Sequence, residues 1–211
     1  MIELTPEEAY KIFPELKEKI KGRSDFISHR TPTWNGFEKV KHKVLRGKVL
    51  EVGCAGGEFH HAFRPLGFEW YGIDIKGDLP FPSPDPNSYS TCDMQDLKYF
   101  KENEFTLVFA CHSFEHIENP IKALKEFYRV LKDGGCIFIS MPRFCEKQIL
   151  KMDDDHISIL HPWQTERYCK YLTVRCNIKM ELMEQFEELM NPPNKEDGQD
   201  SQIYLIKVTK N

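Results

Sequence analysis

The chain has 211 residues and a formal net charge of -4, with 29 basic against 33 acidic side chains. That length suits one domain around a single core, and the charge argues against the broad basic surface that holds long nucleic acids. No apolar run approaches the roughly 18 residues that cross a bilayer, and the opening residues, with Glu3, Glu7 and Glu8, lack a basic stretch followed by an apolar one. The expectation is no membrane insertion, no secretory leader and a cytoplasmic location.

Taken in chain order, Thr5, Pro6 and Glu8 form a helix start, a hydroxyl cap with proline in the first turn and glutamate three residues on. Ile12, Phe13, Leu16 and Ile20 keep helical spacing, but Pro14 breaks the segment into two short helices. Trp34, Phe37, Val40 and Val44 predict a further helix running into the first strand, with lysines on its solvated face. From Lys48 onward short apolar runs alternate with helical stretches, the pattern of βαβ units and a mainly parallel sheet. The strands predicted are Val49 to Val52, Trp70 to Ile75, Tyr89 to Cys92, Phe105 to Cys111, Cys136 to Met141 and Ile203 to Val208. Leu79 to Pro86, with four prolines, reads as a surface loop. Asn119 and Pro120 open a helix whose inward stripe is Ile121, Leu124, Phe127 and Leu131, ending at Gly134 and Gly135. Asn191 to Asp200 is a polar connection into the last strand.

Seven cysteines, Cys54, Cys92, Cys111, Cys136, Cys145, Cys169 and Cys176, are an odd number without a C-x-x-C pair. They read as reduced thiols, several of them small buried hydrophobes.

The strongest local signal is VLEVGCAGGEF, Val49 to Phe59: a buried strand, a turn of small residues and a helix start. Gly53, Ala55 and Gly57 leave room for a ligand to approach backbone N–H groups at the positive end of the next helix. A dinucleotide fingerprint needs glycine at positions 53, 55 and 58, where this chain has Gly53, Ala55 and Glu58, and a carboxylate there opposes a pyrophosphate. No Walker lysine follows the turn either. Asp74, about 20 residues past the turn, stands where an acidic residue of such folds accepts ribose hydroxyls. Asp93 with Met94 suits an adenine ring, one edge bonded and one face covered.

These motifs resemble the class I, seven-stranded, S-adenosylmethionine-dependent methyltransferases, in particular the small-molecule branch with the ubiquinone-biosynthesis type. The resemblance covers roughly Lys48 to Arg143. VLEVGCAGGEF is similar to the family's acidic-x-Gly-x-Gly-x-Gly motif through Glu51, Gly53 and Gly57, with Ala55 in place of the middle glycine. YGIDI, CDMQDL, FTLVFACHSFEHIENP and RVLKDGGCIFISMPR resemble the motifs that follow, in order. The resemblance implies an α/β, Rossmann-like three-layer sandwich on a mostly parallel seven-stranded sheet, its last strand antiparallel, with short N-terminal helices. It also implies one methyltransferase domain: an N-terminal helical extension over 1–46, a cofactor core over 47–143, and acceptor-side loops with C-terminal strands over 144–211. The implied cofactor site comprises Glu51, Gly53, Cys54, Ala55, Gly57, Asp74, Ile75, Asp93, Met94, Cys111 and His112. The methyl group passes from S-adenosylmethionine to an O, N, S or C nucleophile, leaving S-adenosylhomocysteine.

His112 and His156 are the candidate catalytic bases; His116 reads as a hydrogen-bonded structural histidine, and His161 is a weaker candidate. Asp153, Asp154, Asp155, His156 and His161 read as a solvated loop capping the helix near Pro162, and no metal is assigned. Trp34, Trp163, Tyr168 and Phe144 are aromatic candidates either for the core or for an acceptor wall. The expected acceptor is a small molecule. An RNA or protein acceptor, and a non-catalytic cofactor-binding partner protein, are the alternatives.

Overall fold

The computed structural model describes residues 25–75, 88–143, 156–188 and 201–210. The expectations for Thr5 to Ile20, Leu79 to Pro86, Asp153 to Asp155 and Asn191 to Asp200 lie outside the described residues, as do Phe144 and Cys145.

Helix α1 (Asp25–Val40) leads through a 3-10 turn (Lys41–Lys43) into β1 (Lys48–Val52). It is followed by α2 (Phe59–Phe63), β2 (Glu69–Asp74), β3 (Tyr89–Thr91) and β4 (Phe105–Cys111). A 3-10 turn (Phe114–His116), α3 (Pro120–Val130), β5 (Leu131–Pro142), α4 (Pro162–Cys176), β6 (Lys179–Glu188) and β7 (Ser201–Thr209) complete the order. The seven strands form one sheet in the order β3-β2-β1-β4-β5-β7-β6. β1 to β5 run parallel, and β7 is antiparallel to both of its neighbours.

Central strands read as unbroken apolar runs because helices cover both of their faces; every residue of β4 from Phe105 to Ala110 is buried. On one face Val49, Leu107, Phe109 and Phe138 pack with Trp34 and Phe37 of α1 and with Phe59 and Phe63 of α2. Phe109 stacks on Phe138 at 5.0 Å, and Phe37 meets both rings edge-on, contacts worth about 0.5–1.5 kcal/mol each beyond burial. On the other face Leu50, Val108 and Ile137 pack with Leu124 and Phe127 of α3 and with Cys169 and Leu172 of α4. This is the three-layer sandwich expected. Trp34 therefore belongs to the core, Trp163 is 53% exposed, and Tyr168 packs partly buried against the core.

Two boundaries differ from the sequence reading. Asn119 caps α3, accepting the Lys122 N–H at 3.0 Å, but the helix ends at Val130 and not at Gly134. Leu131 pairs with Phe105 at the start of β4, and a fully buried leucine there gains more from the ladder than from another helical turn. β6 is the strand that was not predicted: it alternates exposed and covered residues, carries five charged side chains in KMELMEQFEE, and slips register between Leu182 and Glu184. The lysines of the α1 region are not simply solvated, since Lys39 pairs with Glu188 and Lys43 with Glu184 of that strand.

Candidate functional site

In an open parallel sheet, ligands bind beyond the carboxyl ends of the strands where the strand order reverses. Here β1 lies between β2 and β4, so the reversal falls at β1 and β4, and the two turns that leave them are residues 53–58 and 112–118. They are knit together. Ser113 Oγ donates to the Val52 carbonyl at 2.8 Å, and a side chain on Gly53 would meet the Ser113 Cβ at 2.3 Å. Gly53 and Gly57 have φ of +68° and +73°, in the left-handed region that favours glycine, and Trp70 fills the space beside Gly57. The room a side chain would need at these two positions is taken by Ser113 and Trp70, so the turn requires glycine at both. Cys54 is buried beneath it, its N–H bonded to the Ile73 carbonyl.

Two non-glycine residues at this reversal also hold left-handed backbone, Ala55 and His112, each at φ +45°. Such conformations cost energy, and they cluster where a site dictates geometry. Ala55 is exposed, and its N–H donates to Asp74 Oδ2 at 2.9 Å, which fastens the glycine turn to the end of β2. Asp74 is half-buried, with Ile75 beside it 71% exposed.

Three carboxylates gather around the turn. Glu51 is 2% exposed and accepts the Trp70 indole N–H at 2.7 Å. Burial pushes its carboxyl well above the usual carboxylate range; Trp70 and Arg30 oppose that shift, and Glu58 and Asp74 add to it. Glu58 does not face an open cleft: it is buried and paired with Arg30 of α1 at 2.8 Å. Sequence reasoning missed Arg30, because nothing in the α1 sequence indicates which acid it will meet.

Asp93 forms a local turn, accepting the Gln95 N–H at 2.8 Å. With Ile75, Thr91, Cys92, Asp96, Lys98 and Tyr99 it lines a cleft of about 170 Å³. The Met94 side chain is buried in the core cluster, and the exposed apolar side chains lining the cleft with Asp93 are Ile75 and Tyr99.

On the β4 side, Cys111 is half-buried with its Sγ 3.3 Å from Thr33 Oγ1, and burial raises its thiol to about 12. Cys136 and Cys169 are raised to about 11 and about 12 for the same reason, so these thiols stay protonated and unreactive. The six cysteines among the described residues are free. The His112 ring is bonded at Nε2, 2.9 Å from Ser201 Oγ, and its Nδ1 lies 3.6 Å from the buried Glu115 carboxylate. His156 is half-buried with its ring centroid 4.8 Å from that of the exposed His116. The structure thus brings His112, Glu115, His116 and His156 to one end of β4. His161 stands apart as the N-cap of α4, in a capping box with Gln164.

A model of the methyltransferase domain family matches residues 18–177. The ubiquinone biosynthesis O-methyltransferase of Thiobacillus denitrificans is 27% identical over 134 residues, covering 59% of this chain and 58% of the relative. The chain spans about half the length of the curated relatives it matches. Among solved structures, a SAM-dependent methyltransferase from Archaeoglobus fulgidus superposes with a TM-score of 0.60 at 20% identity, covering 93% of this chain and 99% of that one. An N-methyltransferase from Haemonchus contortus, solved with S-adenosylhomocysteine, gives 0.58 at 15% identity over 95% of this chain and 60% of that one. These likenesses carry the fold.

Proposed function

The chain belongs to the methyltransferase domain family, and on that premise we propose that it transfers a methyl group from S-adenosylmethionine to a small-molecule acceptor. The observation that carries the reading is the Ala55 N–H bond to Asp74, which builds the glycine turn and the acidic end of β2 into one rigid surface at the sheet's reversal. The residues fit that cofactor. A ligand with an ammonium and a sulfonium suits the acidic surroundings of the turn, where Asp74 stands half-buried at its edge and Glu51 is buried beneath it. Asp74 would take the ribose hydroxyls, Asp93 an adenine edge, and Ile75 one face of the ring. Gly53, Cys54, Ala55 and Gly57 hold the turn, and Cys111 and His112 close the opposite side.

When bound, S-adenosylmethionine supplies a methyl carbon on a good leaving group, so the protein's tasks are alignment, exclusion of water and disposal of the acceptor's proton. His112, anchored by Ser201, is a positioning residue that fixes the turn after β4. His156, the other candidate, is half-buried at the same end of β4, beside His116. Residues 1–46 and 144–211 supply the acceptor's surroundings, with 47–143 as the cofactor core.

Calorimetric titration of S-adenosylmethionine and S-adenosylhomocysteine tests the reading. Micromolar binding is expected, weakened at least about 10-fold in Asp74→Ala as a charge-assisted bond is lost, with no binding of NAD. A folded protein that ignores both ligands would overturn it. Methyl transfer to a panel of hydroxylated and amine metabolites then tests catalysis, and labelling confined to RNA or protein would replace the small-molecule acceptor.

A further inference from the structure

We propose that Glu115, His116 and His156 form a binding site for a divalent transition-metal ion beside the methyl-transfer site. One carboxylate oxygen and two imidazole nitrogens, one from each residue, lie within 4.8 Å of one another. Bonds of roughly 2.1 Å to a shared ion require separations of about 3 to 3.5 Å between ligand atoms, so modest side-chain rotations close the set. Two histidines with one carboxylate suit zinc or ferrous iron, and they leave coordination positions open.

The three residues come from segments about forty positions apart in sequence, and the fold pins those segments together. Ser158 N–H donates to the Glu115 carbonyl at 2.8 Å, and Ser158 Oγ donates to the Ile117 carbonyl. His156 is thereby held against the turn that carries Glu115 and His116. Glu115 is fully buried, with His112 Nδ1 3.6 Å from one oxygen, the kind of outer contact that orients a ligating carboxylate. His116 is exposed and His156 half-buried, which gives an ion a path in and leaves its open positions facing solvent. Of the histidines in the Asp153 to His161 stretch, His161 is used as a helix cap and His156 joins a different partner set, one that only the fold assembles.

The ion's role rests on the transferase reading; its binding does not. The site adjoins His112, and the next residue, Ser113, packs against the glycine turn. An acceptor offering one or two adjacent oxygen donors would occupy the open positions, and its hydroxyl would ionise more readily there. Its proton leaves to water, the oxygen lone pair forms the new bond to the methyl carbon, and the carbon–sulfur bond breaks toward sulfur.

Untagged full-length chain, stripped with chelator, would be titrated with Co²⁺ under visible absorption, followed by displacement with Zn²⁺. One equivalent of Co²⁺ giving a ligand-field band that Zn²⁺ removes is expected. His156→Ala and His116→Ala should each weaken Co²⁺ binding at least about 10-fold while circular dichroism stays unchanged. Both are solvent-reachable positions, so the test does not depend on the buried Glu115→Gln variant folding. No band, or equal binding by both histidine variants, would overturn the proposal. Calorimetry with S-adenosylmethionine on the same samples separates the two readings. Cofactor binding without Co²⁺ binding sinks the metal site alone, and Co²⁺ binding without cofactor binding sinks the transferase reading and leaves the metal site standing.

Discussion

Glu51 is a residue whose burial works against stability as pH rises. Its folded carboxyl titrates above the unfolded one, so between the ordinary carboxylate range and the raised folded value the folded state holds more protons. Stability therefore falls as pH rises through that window, and the loss is complete above it. Glu51→Gln should flatten this dependence and raise the melting temperature at neutral pH, measured by thermal denaturation across pH 4 to 8. If the cofactor's ammonium pairs with Glu51 and ionises it, as the proposed function has it, the same variant should bind S-adenosylmethionine more weakly. If Glu51→Gln melts with the parent's pH profile, its burial is not what sets that profile. The small-residue turn at Gly53, Ala55 and Gly57 and the acidic residues at the end of β2 and after β3, Asp74 and Asp93, were all legible in the sequence. The burial of Met94 was not legible, because a sequence pairs neighbours along the chain and cannot say which side chain turns inward.

Between elements, the Arg30–Glu58 pair fastens α1 to the start of α2 and shields an acid buried beneath the glycine turn. Breaking a buried pair on one side leaves a charge without compensation, at a cost of roughly 3 kcal/mol. Arg30→Ala should be destabilised by about that much in urea unfolding, and Arg30→Ala with Glu58→Gln should recover most of it. An Arg30→Ala loss below about 1 kcal/mol would show that water reaches Glu58. Element boundaries were least legible where sheet and helix compete for one residue. Leu131 keeps the helical spacing of Ile121, Leu124 and Phe127, yet β4 claims it. β6 was illegible for a different reason: an edge strand is paired on one side and carries charge on its open face, so its composition reads as polar.

For the molecule as a whole, a ligand that bridges the ends of β1, β2 and β4 can bind only the assembled sheet. S-adenosylhomocysteine at about 100 times its dissociation constant should stabilise the fold by about 2.7 kcal/mol, a rise of roughly 5 to 10 °C in melting temperature for a domain of this size. Differential scanning fluorimetry reads it directly, and an unchanged Tm at that excess would contradict a site spanning three strands.

Sequence alone determined the parallel core, the glycine turn, Asp74 and the order of the motifs. Each is a local pattern, set by apolar periodicity or by backbone that only small residues tolerate. Tertiary structure alone decided that Arg30 meets Glu58, that Ser113 fills the space beside Gly53, that β6 closes the sheet and that His156 lies against His116. These are contacts between distant segments, and they exist only because burying both faces of one twisted sheet leaves few ways to pack the chain.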